Sequence, residues 1–163
     1  MQAPDPDGGE GTSLVTVEVV AGHFRGPAGT THDVEVEGLP RPRLQDGDVR
    51  EMIARLPDAC LDRAFILFPD PWPKARHNKR RIMTPELIAD LARILKVGGR
   101  LRFATDWADY AEWTIERVLA DPAFRFESET ADRNAPPADH VTTRYEEKKL
   151  GDCAPVFLDF VRT

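Results

Sequence analysis

Cysteine is scarce in this chain: Cys60 and Cys153 are the only two, far apart and with no second Cys or His at metal-ligand spacing. A disulfide framework and a structural zinc are therefore disfavoured, no metal is expected, and idle or buried thiols are expected instead. Long apolar runs are missing too, and none approaches the roughly 20 residues needed to cross a bilayer. The opening, MQAPDPDGGEGTS, lacks the positive flank and apolar stretch of a secretory signal. A cytoplasmic protein with no membrane partner is the expectation. Positive charge is in deficit, with 22 Lys and Arg against 28 Asp and Glu and a net charge of −6. That balance argues against diffuse nucleic-acid binding, which needs clustered cations to displace counterions.

What is present fits one globular domain. The 163 residues are 41% hydrophobic and 31% charged, enough for one real core and too short for two domains of usual size. Residues 1–13, rich in Gly, Pro and Asp, read as a flexible tail, and 14–163 as a single domain. In 14–20 and 32–38 the valines alternate with polar residues, which predicts two strands and suggests a hairpin. Gly22, Gly26 and Gly29 between them match neither a dinucleotide loop nor a phosphate loop. Monomer and homodimer stay equally open.

From Asp46 onward the pattern is that of an alternating α/β domain. Residues 47–59 predict a short helix. The apolar run 63–68 (RAFILF) predicts a strand buried on both faces, ending at Pro69-Asp70-Pro71-Trp72. Thr84 can cap the next helix and Pro85 suits its first position; Leu87, Ile88, Leu91, Ile94 and Leu95 repeat at helical spacing until Gly98-Gly99 stops it. A strand over 101–105 leads to Asp106. A helix over 107–120 follows, with Ala111, Thr114, Ile115, Val118 and Leu119 inward, then two late strands at 124–127 and 156–161. Between those strands runs a long polar loop, and a loop of that length is usually functional or disordered.

In an open α/β sheet ligands bind beyond the carboxyl ends of the strands, and Asp70 and Asp106 stand at two such ends on strands expected to be neighbours. The prolines on either side of Asp70 fix its backbone and aim its carboxylate. Lys74, Arg76, Lys79, Arg80 and Arg81 crowd into eight residues of an otherwise acidic chain, with His77 among them. On charge alone that run reads as a solvated face.

The block 68–81, FPDPWPKARHNKRR, closely resembles the signature of the bacterial tRNA (guanine-N7-)-methyltransferases. The resemblance continues through FATDW (103–107) and TRYE (143–146), covering roughly 44–163. It implies a class I methyltransferase fold, a Rossmann-like α/β sheet with helices on both faces, and S-adenosylmethionine-dependent methylation of a guanine in the variable loop of tRNA, giving 7-methylguanosine. By resemblance, Asp70 matches the catalytic acid near the cofactor and Asp48 an acid that contacts the cofactor. Lys74 and Asp106 match substrate-contacting positions, and Thr143, Arg144, Tyr145 and Glu146 a substrate-binding stretch. Arg76, Lys79, Arg80 and Arg81 would hold the RNA backbone. Residues 1–43 do not resemble the family's opening strands and glycine-rich cofactor turn, so the N-terminal part reads as truncated or replaced by a β-hairpin. Three readings stay open: an active methyltransferase with a divergent cofactor loop, an impaired family fragment that still binds tRNA, and a non-catalytic RNA-binding module.

Overall fold

The computed structural model describes residues 16–20, 31–33, 43–45, 48–128, 132–142 and 144–163, with side chains described from residue 48 onward except at 144 and 145. The tail expected at 1–13 and Thr143 lie outside the described residues.

A mixed sheet of strands β1 (Thr16–Val20), β4 (Leu61–Leu67), β5 (Leu95–Thr105), β7 (Val156–Arg162) and β6 (Phe124–Phe126), in that spatial order, forms the body. β1, β4 and β5 run parallel, whereas β7 is antiparallel to both β5 and β6. A separate pair joins β2 (Thr31–Asp33) to β3 (Arg43–Gln45). Among the described residues the expected hairpin between the first two segments is not seen: β1 pairs with β4 in parallel, Thr16 opposite Arg63, and β2 pairs with β3. Alternation in the sequence marks each segment as strand without naming its partner, and β1 finds the open edge of β4, where unpaired backbone groups would otherwise face water.

Three helices cover the sheet: α1 (Val49–Arg55), α2 (Pro85–Ile94) and α3 (Ala108–Leu119). Ile53 of α1, Leu87, Ile88 and Leu91 of α2, and Tyr110, Ala111 and Val118 of α3 join one cluster with Ala64, Ile66, Leu101, Phe103, Leu158 and Phe160 from the strands. Successive strand residues point to opposite sides, so these strand residues share one face. These three helices therefore pack against the same face. The other face carries Arg102 and Asp159, both buried, and is crossed by the long loop that contributes Asp139.

Local sequence explains the element ends. Asp48 caps α1, its carboxylate accepting from the Arg50 amide at 3.0 Å, and Thr84 caps α2 through the Leu87 amide at 3.3 Å. α2 ends at Ile94, sooner than the glycine pair suggested, and the chain enters β5 at once. Gly98, with φ +80, sits in the irregular stretch between the Leu61–Leu95 and Arg63–Arg100 pairs. There the glycines serve a bulge in the strand instead of a helix stop. Arg93 donates to the Ile53 and Leu56 carbonyls at the end of α1, so α1 and α2 finish at the same edge of the sheet. Their starts, with Asp48 and Thr84, consequently point toward the carboxyl edge of β4 and β5. In α3 Tyr110 is fully buried and Leu119 is 44% exposed, which reverses the expected place of the latter.

Candidate active site

The parallel pair β4–β5 brings Asp70 and Asp106 to one edge. The Phe68 amide donates to the Ala104 carbonyl at 2.8 Å, and each acid lies two residues past that bond. Their settings differ. Asp70 is exposed, on a turn in which Phe68 and Trp72 both adopt left-handed backbone, φ 50 and 45, around two prolines. Such conformations are unfavourable for residues with a Cβ and persist where the surroundings enforce them, which is common at functional sites.

Asp106 is only 4% exposed. The Gly151 amide bonds to its carboxylate, and its carbonyl accepts from the Cys153 amide at 3.1 Å. A Cβ at Gly151 would overlap both the Asp106 carbonyl oxygen and its side chain, so only glycine permits this approach. Burial pushes the Asp106 carboxyl above its ordinary range; bonds from its own amide and that of Gly151 oppose this, and the charges of Asp152 and Glu146 reinforce it. Its Oδ2 is buried with no hydrogen-bond partner among the described residues.

Asp106 lines a cavity of about 640 Å³ together with Thr142, Glu146, Lys149, Gly151 and Cys153. That is ample for a purine, since ligand pockets run about 300–1,000 Å³. Glu146 belongs to α4 (Arg144–Glu147) and is nearly buried; its Oε1 meets His140 Nε2 at 2.9 Å, while the His140 ring packs edge-on against Phe157. The adjoining Asp139 is gripped by Arg63 and Arg102. The long loop is thus fastened to the sheet one residue before His140. Glu146 and Asp106 line the same cavity, and Arg144 and Tyr145 share the helical backbone of α4. Asp70 does not line this cavity; it stands at the neighbouring strand end.

Asp48 keeps to its own helix. Its carboxylate accepts from Arg50 Nη2 at 2.6 Å, and that bond holds the carboxyl below its usual range. The basic run forms a 3₁₀ helix, Ala75–Arg80, with Lys74 at its cap. Lys74, Arg76, Lys79 and Arg80 are exposed, and the Arg80 guanidinium lies 4.8 Å from the centre of the Trp72 ring. Arg81 does not belong with them. Its side chain is 1% exposed, so it is no RNA contact, and the reason is that it fills the space against Tyr110 and Trp113. His140, Gly151 and Cys153 escaped sequence reading. For Gly151 the signal was its place just after TRYE; His140 and Cys153 carried none.

A family model for methyltransferases, Methyltransf_4, matches residues 37–157. The chain belongs to this methyltransferase family. The match begins before the roughly 44–163 estimated from motifs. The tRNA (guanine-N(7)-)-methyltransferase of Caulobacter vibrioides (strain NA1000 / CB15N) is 69% identical over 137 residues, 84% of this chain and 61% of the relative. That of Hyphomonas neptunium is 48% identical over 78% of this chain and 58% of the relative. The chain spans about three-fifths of the length of these curated relatives. Among solved structures, the aminoglycoside resistance methyltransferase NpmB1 overlays with a TM-score of 0.37 at 12% identity, covering 73% of this chain and 59% of that one. So slight a likeness carries no weight, and the α/β fold rests on the strand order itself. Among the described residues no helix is long and apolar enough to cross a membrane.

Proposed function

We propose that this chain carries out methyl transfer from S-adenosylmethionine to nitrogen seven of a guanine in tRNA. The observation that carries the proposal is the buried, unpartnered Oδ2 of Asp106 at a cavity of about 640 Å³ shared with Glu146. A buried acceptor without a donor is costly and asks for one from a ligand. A guanine edge, with its ring and exocyclic N–H groups, supplies donors of the right kind.

Asp70 fits a cationic cofactor: its carboxylate is exposed, its backbone is fixed, and it makes no hydrogen bond or ion pair with another described residue. Asp48 also fits, since an exposed pair such as Asp48–Arg50 contributes only about 0–1 kcal/mol and is readily exchanged for a ligand hydroxyl. Asp70 and Asp48 would hold S-adenosylmethionine, which when bound supplies a methyl group on a sulfonium sulfur. The rest falls to the chain.

Guanine nitrogen seven has an exposed lone pair and no proton to lose, so alignment matters more than a general base. As nitrogen seven takes the methyl, positive charge spreads over the purine and its edge N–H groups become stronger donors. Asp106, fixed by Gly151, accepts from that edge and stabilises the developing charge at no cost of reorganisation. Glu146, held by His140, adds a second negative group. Lys74, Arg76, Lys79 and Arg80 would grip the RNA backbone, which positions the substrate and makes binding depend on salt.

Calorimetric titration with S-adenosylmethionine tests the cofactor half of the proposal. Saturable binding weakened in Asp70→Ala supports it. Absence of binding at millimolar cofactor, with tRNA still bound, would leave RNA binding without catalysis as the function.

A further inference from the structure

Arg81 closes the basic run but turns its back on solvent. Its Nε donates to the Pro71 carbonyl at 2.9 Å and its Nη2 to Asp109 Oδ2 at 2.5 Å. The guanidinium carbon lies 4.7 Å from the centre of the Tyr110 ring and 5.2 Å from that of Trp113. The group is thus held in its plane by two rings and along its edge by two acceptors, a task that needs a flat, forked cation.

Pro71 adjoins Asp70. The turn around them carries Phe68 at φ 50 and Trp72 at φ 45, and Pro69, Pro71 and Pro73 give it no amide donors of their own. A turn in that conformation needs outside support to persist. At its start it is tied by the Phe68 amide to β5, and past Asp70 by the Arg81 guanidinium to α3, through Asp109.

We propose that Arg81 is the positioning residue for Asp70: it fixes the Pro71 carbonyl against α3 and so sets where the Asp70 carboxylate stands. This rests on the reading of Asp70 as the acid beside the reacting methyl. The run that looks like a uniform RNA-binding patch is then divided in two, with its outer cations facing the substrate and its last member bracing the reaction centre from behind.

The test compares Arg81→Lys, which keeps the charge but not the fork, and Asp109→Asn, which changes only the exposed end of the brace, with the unaltered full chain. Two readouts are taken on each. Hydrogen exchange at the Phe68 amide, which donates to the Ala104 carbonyl, should speed up in both variants while Ile66 and Phe103, in the strands, keep their protection. In methylation of tRNA, kcat should fall about 10-fold or more with KM for tRNA unchanged, the mark of a displaced reacting group. Unchanged exchange in the turn overturns the proposal, and so does loosening that spreads equally to the strands, which would mark Arg81 as a packing residue only. If Asp70→Asn methylates as well as the unaltered chain, the role of Asp70 fails on its own account, and the exchange data still decide whether Arg81 holds the turn.

Discussion

Arg102 on β5 and Asp159 on β7 stand opposite each other in the antiparallel pair, and the guanidinium Nε donates to the carboxylate at 2.7 Å with both side chains almost wholly buried. The same guanidinium reaches Asp139 of the long loop at 2.5 Å, and Arg63 holds that carboxylate from the other side at 2.8 Å. One buried arginine therefore joins the sheet to the loop that carries the candidate substrate site. Removing the Asp159 charge weakens one of the two carboxylate contacts of Arg102 while Asp139 still pairs with it, so Asp159→Asn should cost about 1–3 kcal/mol in urea unfolding. A loss below about 1 kcal/mol would show that water already reaches the pair.

Asp139 gives the network a pH dependence. Burial alone would raise its carboxyl, but the bonds from Arg102 and then Arg63 outweigh this and hold it below the ordinary carboxylate value. A depressed folded value means that the stabilisation is complete above the unfolded value and is lost as pH falls through the folded one. Asp139→Asn should therefore flatten the decline in stability below about pH 4. Thermal midpoints across pH 2–6 in both proteins, with slopes that remain parallel, would contradict the assignment.

Asp106 has the opposite sign. Its carboxyl is raised, chiefly by burial, so between its unfolded and folded values the folded state binds more protons, and stability falls as pH rises through that window. Asp106→Asn should be as stable as the unaltered chain at acid pH and more stable at neutral pH, yet lose about 100-fold or more of its methyl transfer. A variant that is both inactive and less stable at neutral pH would place Asp106 in the framework instead of the site.

Gly151 is tested by one methyl group. Gly151→Ala puts a Cβ into Asp106, so the loop must move away from Asp106 and reshape the cavity that both residues line. A stability loss of about 1–3 kcal/mol is expected from the overlap, with a larger proportional fall in methyl transfer than in cofactor affinity. Equal falls in both would mean that the cavity does not take the substrate.

How much of this was legible in the sequence depends on whether a signal was local. The α2 cap at Thr84, the proline turn at Asp70 and the two acids at adjacent strand ends were all readable, because capping, proline geometry and strand ends act over a few residues. Partner choice is not local, so β1 was recognisable as a strand while its parallel pairing with β4 was not. The inward turn of Arg81 was hidden for the same reason: the run shows charge but not facing, and Tyr110, Trp113 and Asp109, which bury it, lie about thirty residues on. Gly98 was read as a helix stop because glycine permits both a cap and a bulge, and only the partner strand decides between them.

The outer cations offer a separate check on the substrate. Lys74→Gln, Arg76→Gln and Arg80→Gln should each weaken tRNA binding and reduce the slope of log affinity against log salt by about 1. An unaltered slope in all of them would move the RNA to another face.

Methyl incorporation into tRNA reads the reaction itself. The purified chain is given S-adenosylmethionine carrying a labelled methyl and unmodified tRNA, and the label is located by cleavage chemistry selective for 7-methylguanosine. Saturable incorporation at one guanine is the expected result, abolished in Asp70→Asn and in Asp106→Asn. No incorporation under conditions where both ligands bind, or incorporation that survives both substitutions, would contradict it.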